Sequence, residues 1–176
     1  MSKAFGVEEF VNADIIARGL SQFAPERVAF AAGRVFLNRI ESLSKAGESF
    51  AFETTLAAKT FAPLLRRMQQ RGYLVHVIFL WLPSIEMAIG RVEARVRSGG
   101  HSIPKVDIRR RYDRGIHNFF HVYRQIADSW LMLDNSQVSG PKPIAWRNSG
   151  GPVQIVRSGP WELLQRSHEQ NILQIR

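Results

Sequence analysis

The stretch from Arg91 to Arg114, RVEARVRSGGHSIPKVDIRRRYDR, sets eight Lys/Arg against three acids. Guanidinium groups bind phosphate oxygens two at a time, so this composition suits recognition of a multiply charged anion. The run breaks at Ser98-Gly99-Gly100-His101-Ser102-Ile103-Pro104. The glycines would stop one helix and the proline would open the next. The spacing therefore predicts helix, tight mobile bend, helix, with arginines on both arms of a hairpin that could close over its ligand. The plainer alternative is a solvated helix face in a basic protein.

Two carboxylates stand at the ends of predicted strands. Glu9 to Asn12 (EFVN) stops just before Asp14, and Ser49 to Glu53 (SFAFE) ends in Glu53, with Thr54 and Thr55 next. Parallel strands would carry Asp14 and Glu53 to one rim, where α/β sheets place functional groups and where a carboxylate can serve as a base. Asp14 could instead cap a helix, and Glu53 could cap or pair with an arginine. His117 and His121 have the i,i+4 spacing of paired metal ligands, yet no acid or third histidine joins them. The intervening Phe119-Phe120 favours packing, so no metal is expected. His76, inside an apolar run, reads as a satisfied core histidine.

These groups must be held by a scaffold of 176 residues, 45% hydrophobic and 22% charged. That is the size of one globular domain, spanning residues 1–176, with enough apolar content for a core. The longest apolar run, Val77 to Pro83, falls well short of the ~20 residues that cross a bilayer. Residues 1–14 carry Lys3, Glu8, Glu9 and Asp14 and lack the apolar core of a signal peptide, so the default location is cytoplasmic. With no cysteine there is no disulfide, thiolate metal site or cysteine nucleophile. A net charge of +9 points to anionic partners: nucleotide, sugar phosphate, nucleic acid or acidic protein.

Periodicity places a turn of helix over Ile15–Leu20 and a helix from Pro25 to about Ala46, with Val28, Ala32, Val35, Phe36, Ile40 and Leu43 inward. A helix follows over Thr60–Arg71, then a buried central strand over Tyr73–Leu82 covered on both faces. Ser84 caps the first arginine-bearing helix, and the second runs from Lys105 to Asp128 on a buried stripe from Ile108 to Ile126. Trp130–Asn135 is a buried strand, Ile144–Arg147 and Val153–Arg157 form a hairpin, and Pro160 opens a last helix. Alternating strands and helices predict a three-layer α/β fold on a mostly parallel sheet. The segments ending at Asn12, Glu53, Leu82 and Asn135 are expected in one sheet with their ends on a common rim.

The strings FVNADIIARGLSQFAPE, ESFAFETTL, GYLVHVIFLWLPSIEMA, RVEARVRSGGHSIPKVDIRRRYDRGIHNFF and ADSWLMLDNS resemble the zeta toxin family of P-loop kinases, collinearly from about Glu9 to Ser136. The resemblance implies a P-loop kinase fold, ATP and Mg²⁺ as cofactors, and phosphoryl transfer to a hydroxyl of a sugar-nucleotide-like substrate. It also implies an antitoxin protein as a possible partner. On that resemblance Asp14 matches the carboxylate that activates the substrate hydroxyl, and Glu53 the acid at the substrate site, with Asn12, Thr54 and Thr55 beside it. Arg95 or Arg97 on one arm and Arg110 or Arg111 on the other match lid residues that touch phosphates. Arg97, Arg110 and Arg111 are expected at the transferring group, and Arg91, Arg95 and Asn135 at the nucleotide. One departure is plain: the family's G-x-x-x-x-G-K-[ST] loop is not here, since no Gly-Lys pair occurs anywhere in the chain. Residues 1–8 are too short to hold that loop and its strand, which in the family lies between the strands matching Ser49–Glu53 and Tyr73–Leu82. Kinase activity by these residues alone is therefore not expected. Two other readings stand beside this one: a non-catalytic remnant that binds a nucleotide or a protein, and a basic nucleic-acid binder. The last is disfavoured by arginines gathered at one hinge and by the lack of any nucleic-acid-binding signature.

Overall fold

The structure, a computed structural model, describes residues 7–100 and 102–173. The chain divides into two compact units, Met1–Thr54 and Thr55–Arg176. In the first, β1 (Glu9–Val11) leads through α1 (Ala13–Leu20), a 3₁₀ turn (Pro25–Val28) and α2 (Ala29–Ala46) to β2 (Phe50–Phe52). The strands pair in parallel with Phe10 opposite Ala51, and the two helices supply the long crossover that parallel pairing requires. α2 buries Ala32, Phe36, Ile40 and Leu43 at helical spacing. Val35, expected on that face, is exposed. Gly47 ends the helix in the left-handed region at φ 75°, its amide bonded to the Leu43 carbonyl.

The second unit contains α3 (Phe61–Gln70), β3 (His76–Trp81), α4 (Ile85–Arg97), α5 (Lys105–Asn118), a π-helical turn (Phe119–Tyr123) and α6 (Arg124–Ile126). It continues with β4 (Ser129–Asp134), β5 (Lys142–Arg147), β6 (Gln154–Ile155) and α7 (Ser158–Leu173). Its sheet runs β3-β4-β5-β6, with β3 and β4 parallel and the remaining pairs antiparallel. Ile144 is the extra residue of a bulge in β5, where Met132 faces Ala145 but Leu133 faces Pro143. The bulge turns both Ile144 and Ala145 inward.

The core of this unit lies where β3 and β4 meet the π turn and α7. Phe79 stacks on Phe119 at 4.9 Å, Phe119 meets Trp130 edge-on, and Trp130 stacks on Trp161 of α7 at 6.0 Å. Phe119, Phe120 and Tyr123 are almost fully buried. Burying each such ring contributes about 1.5–3 kcal/mol, which offsets the poorer backbone geometry of a π turn. The Arg124 amide bonds back to the Phe119 carbonyl, one residue further than in an α-helix.

Three expectations need correcting. The four strands do not form one sheet: β1 and β2 make one, and β3 and β4 belong to another. Strands join only through edge hydrogen bonds, and no described strand pairs with the second edge of β2 or of β3. The two-stranded sheet is accordingly parallel and the four-stranded one mixed, with one parallel pair and two antiparallel ones. Next, β3 is not a covered central strand. As the edge of its sheet it alternates, with Val77, Phe79 and Trp81 turned to the helices and Ile78 and Leu80 left 38% and 44% exposed. His76 shares the exposed face and bonds Ser129 Oγ through Nδ1 at 2.6 Å, so it is not a core histidine. Finally, the helix expected to run unbroken from Lys105 to Asp128 is interrupted by the π turn and stops at Ile126. Asp128 lies beyond it and accepts from the Val75 amide at 2.7 Å and Gln69 Nε2 at 3.0 Å.

Candidate functional site

The N-terminal unit assembles Asn12, Asp14 and Glu53 at the C-terminal end of its parallel strand pair. Asn12 leaves β1 with extended backbone (φ −135°, ψ 121°), and its Oδ1 accepts from the Asp14 and Ile15 amides at 2.8 and 3.1 Å. It is thus the cap of α1, the role Asp14 might have taken. Its Nδ2 donates to Glu53 Oε2 at 2.7 Å. The Glu53 amide in turn bonds the Val11 carbonyl at 3.2 Å, extending the parallel ladder by one step. The strand register therefore fixes where Glu53 meets Asn12. Asp14 sits in the first turn of α1, exposed, and its carboxylate has no hydrogen-bond or ion-pair partner among the described residues. Arg18 Nε reaches only its backbone carbonyl, at 3.4 Å. One amide side chain thus occupies the helix end and one carboxylate, and the Asp14 carboxylate faces solvent beside them. At the opposite end of these strands a cleft of about 670 Å³ is lined by Glu8, Glu9, Arg39, Gly47 and Ser49, with Arg39 paired to Glu9 at 2.7 Å.

In the C-terminal unit the segment after Thr55 is pinned by α5 and the π turn. The Asn118 side chain, itself buried, donates to the Leu56 carbonyl at 2.8 Å, and Tyr123 Oη donates to the Ala58 carbonyl. Gly115 permits the approach: a Cβ there would lie 2.8 Å from the Thr55 carbonyl oxygen. Leu56 is held at φ 56°, a left-handed conformation that a leucine rarely adopts. Strain of this kind persists only where surrounding contacts enforce it. Gly115 and Asn118 give no signal in the sequence, because an Asn and a Gly on a charged helix carry no pattern of their own, while the apolar stripe marks Tyr123 only as a buried residue and not as a donor to this segment. Thr55 Oγ1 accepts from the Ala57 amide at 3.4 Å. Thr54 lies just before this segment, at the end of the N-terminal unit.

The arginine hairpin forms as expected around its glycines. Gly99 lies at φ 87°, its amide bonds the Val96 carbonyl, and the Gly100 amide bonds the Arg95 carbonyl at 2.9 Å, closing α4 with a paired C-terminal motif. His101, within the bend, lies outside the described residues, as do residues 1–6. Ser84 caps α4 by accepting from the Met87 amide, and Pro104 immediately precedes α5.

The two arms are tied by acid–base pairs: Lys105 to Glu93 at 2.9 Å and Arg109 to Glu86 at 3.8 Å. The Lys105 ammonium bonded to Glu93 holds that carboxyl below its ordinary value, with Arg97 adding a smaller effect in the same direction. Arg110 turns to Asp107 on its own helix at 2.6 Å. Arg91 donates to the Asn135 carbonyl, which joins two residues expected at the nucleotide. The side chains of Arg95 and Arg111 are exposed and make no hydrogen bond or ion pair among the described residues.

No family model matches the chain. An uncharacterized protein of Haemophilus influenzae is 26% identical over 106 residues, covering 60% of this chain and 76% of the relative. The fold has a solved counterpart. A chain from the PezAT chromosomal toxin–antitoxin system of Streptococcus pneumoniae superposes with a TM-score of 0.57 at 12% identity, over 96% of this chain and 78% of that one. At that identity the likeness is one of fold, and it spans nearly the whole of this mixed α/β chain.

Proposed function

We propose that this chain carries the acceptor side and the anion-binding lid of a zeta-toxin-like small-molecule kinase, and that residues 1–176 alone bind nucleotide or phosphosugar without transferring phosphate. The supporting observation is the Asn12–Glu53 bridge, which leaves Asp14 uncommitted on the same rim. In this reading Asp14 takes the proton of an acceptor hydroxyl, while Asn12, Glu53, Thr54 and Thr55 orient it. Arg97, Arg110 and Arg111 neutralise phosphoryl charge, and Arg91, Arg95 and Asn135 hold the nucleotide. The residues that would seat Mg²⁺ and the β,γ-phosphates of ATP do not fit: the chain has no Gly-Lys-[Ser/Thr] loop. The described residues also offer no cluster of three or more His, Cys, Asp or Glu for a metal ion. Phosphoryl transfer rests on positioning and charge neutralisation, so no transfer step is assigned to these residues. The counterpart from a toxin–antitoxin system makes an antitoxin protein the proposed macromolecular partner.

The test has two arms. With ATP, Mg²⁺ and nucleotide sugars, residues 1–176 should show no turnover; turnover abolished by Asp14→Asn would overturn the reading of the missing loop. In equilibrium binding, Arg110→Ala with Arg111→Ala should weaken nucleotide affinity several-fold or more, since each charge-assisted contact is worth about 1.5–3 kcal/mol. Arg166, paired to Glu162 along α7, supplies the control. Equal losses from Arg166→Ala would indicate general charge attraction, and salt-dependent retention of nucleotide-free protein on DNA at physiological ionic strength would favour a nucleic-acid binder.

A further inference from the structure

On α2, Phe30, Gly33, Arg34 and Leu37 stand at i, i+3, i+4 and i+7. Four residues at these offsets share one stretch of a helix surface and outline the hole into which a facing helix inserts a side chain. The residues that α2 buries, Ala32, Phe36, Ile40 and Leu43, lie to one side of this hole. Solvent is left on the other: Phe30 is 81% exposed and Leu37 49%.

The middle of the hole is open. Gly33 sits inside a helix of 18 residues, where glycine costs stability relative to alanine. Neither a positive φ nor a close neighbour calls for it, since a Cβ built there would meet nothing within 4 Å. Its missing side chain therefore leaves an unfilled notch between Phe30 and Leu37.

The rim of the hole is basic. The Arg34 guanidinium lies over the Phe30 ring, 5.3 Å from its centroid, and has no carboxylate partner among the described residues. Arg27, one turn earlier and exposed, has none either. A second copy would set the same arginines and the same net charge of +9 against these. An anionic lipid surface would satisfy the arginines but has no projection to fill the notch.

We propose that the face of α2 formed by Phe30, Gly33, Arg34 and Leu37 docks an amphipathic helix of a partner protein. The apolar stripe of that helix enters the notch, and acids beside the stripe pair with Arg27 and Arg34. The face contains none of the residues assigned to the acceptor hydroxyl or the phosphates, so either reading can fail without the other.

The experiment is fluorescence anisotropy of the full chain with a monomeric stapled helix as long as α2, carrying one leucine stripe flanked by glutamates, and with the same helix carrying lysines instead. The glutamate helix should bind at least tenfold more tightly. Phe30→Ser with Leu37→Ser should weaken it tenfold or more, and both side chains are exposed, so the fold is kept. Arg34→Glu should weaken it as much while strengthening the lysine helix. Val138→Ser and Arg166→Glu, at exposed positions of the other unit, should change neither. Gly33→Ala separates docking from a structural role: it should raise the melting temperature of the free chain while weakening the glutamate helix several-fold. Loss of stability together with loss of binding would overturn the notch. Equal affinity for the two helices, or binding untouched by Phe30→Ser with Leu37→Ser, overturns the proposal. Preference for phosphatidylglycerol vesicles over the helix, or self-association abolished by that same double variant, does so too.

Discussion

At the scale of single residues, Asn12 does two jobs that normally fall to different side chains. Its Oδ1 caps α1 and its Nδ2 holds Glu53. Asn12→Ala removes both, and the cap alone is worth about 1 kcal/mol. Asn12→Asp keeps an acceptor for the helix amides but sets a second carboxylate against Glu53. Urea denaturation should therefore show both variants destabilised, and adding Glu53→Gln should restore stability to Asn12→Asp but not to Asn12→Ala. Rescue of both, or of neither, would mean that the bridge contributes little. The sequence made Asp14 and Glu53 visible because acids after strands are a recognisable signal. Asn12 was legible only through a resemblance, since which side chain caps depends on whether the first helical turn begins at residue 13 or 15.

At the scale of elements, α5 and the π turn act as a brace for the Thr55–Ala58 segment. Asn118 and Tyr123 bond its carbonyls, and Gly115 lets the helix backbone approach the Thr55 oxygen. Gly115→Ala should favour the isolated helix by about 0.5–1 kcal/mol, yet here the new methyl meets a backbone oxygen at 2.8 Å and something must shift. The expected outcome is net destabilisation, with amide exchange at residues 55–58 accelerated more than exchange within α5. A more stable protein with unchanged exchange would refute the bracing role. The arginine hairpin was readable in advance because Gly99 and Pro104 act through local backbone preference. The π turn was not, because it seats Phe119 on Phe79 of β3 and Trp130 of β4 and Phe120 on Trp161 of α7, partners distant in the chain that nothing local announces.

At the scale of the whole molecule, acid sensitivity follows from two carboxylates that fasten the C-terminal unit. The Val75 amide, with Gln69 and His76 adding and burial opposing, holds Asp128 below its ordinary range. For Asp134 burial pushes upward, but hydrogen bonds from Ser136 and the ion pair with Arg157 at 2.8 Å outweigh it. Both folded-state values are depressed, so the stability they contribute is present above the unfolded carboxylate range near pH 4 and is lost as pH falls through the folded values. Thermal unfolding between pH 7 and pH 2 should show a steep acid limb that Asp128→Asn with Asp134→Asn flattens, at a cost in stability at neutral pH. An unchanged limb would locate the acid sensitivity elsewhere.

The sequence by itself determined the order of the elements, most of their boundaries, the closing of α4 at its glycines and the placing of two acids after two strands. These depend on near neighbours: backbone preference, caps and apolar period. Only the tertiary structure decided how the strands divide between sheets, that β3 is an edge with one face exposed, and that His76 lies outside. Edge pairing and burial are settled by partners far along the chain. The apolar run Tyr73–Leu82 reads alike for an edge strand and a central one, because the run records what each residue would prefer and not which neighbour is there to cover it.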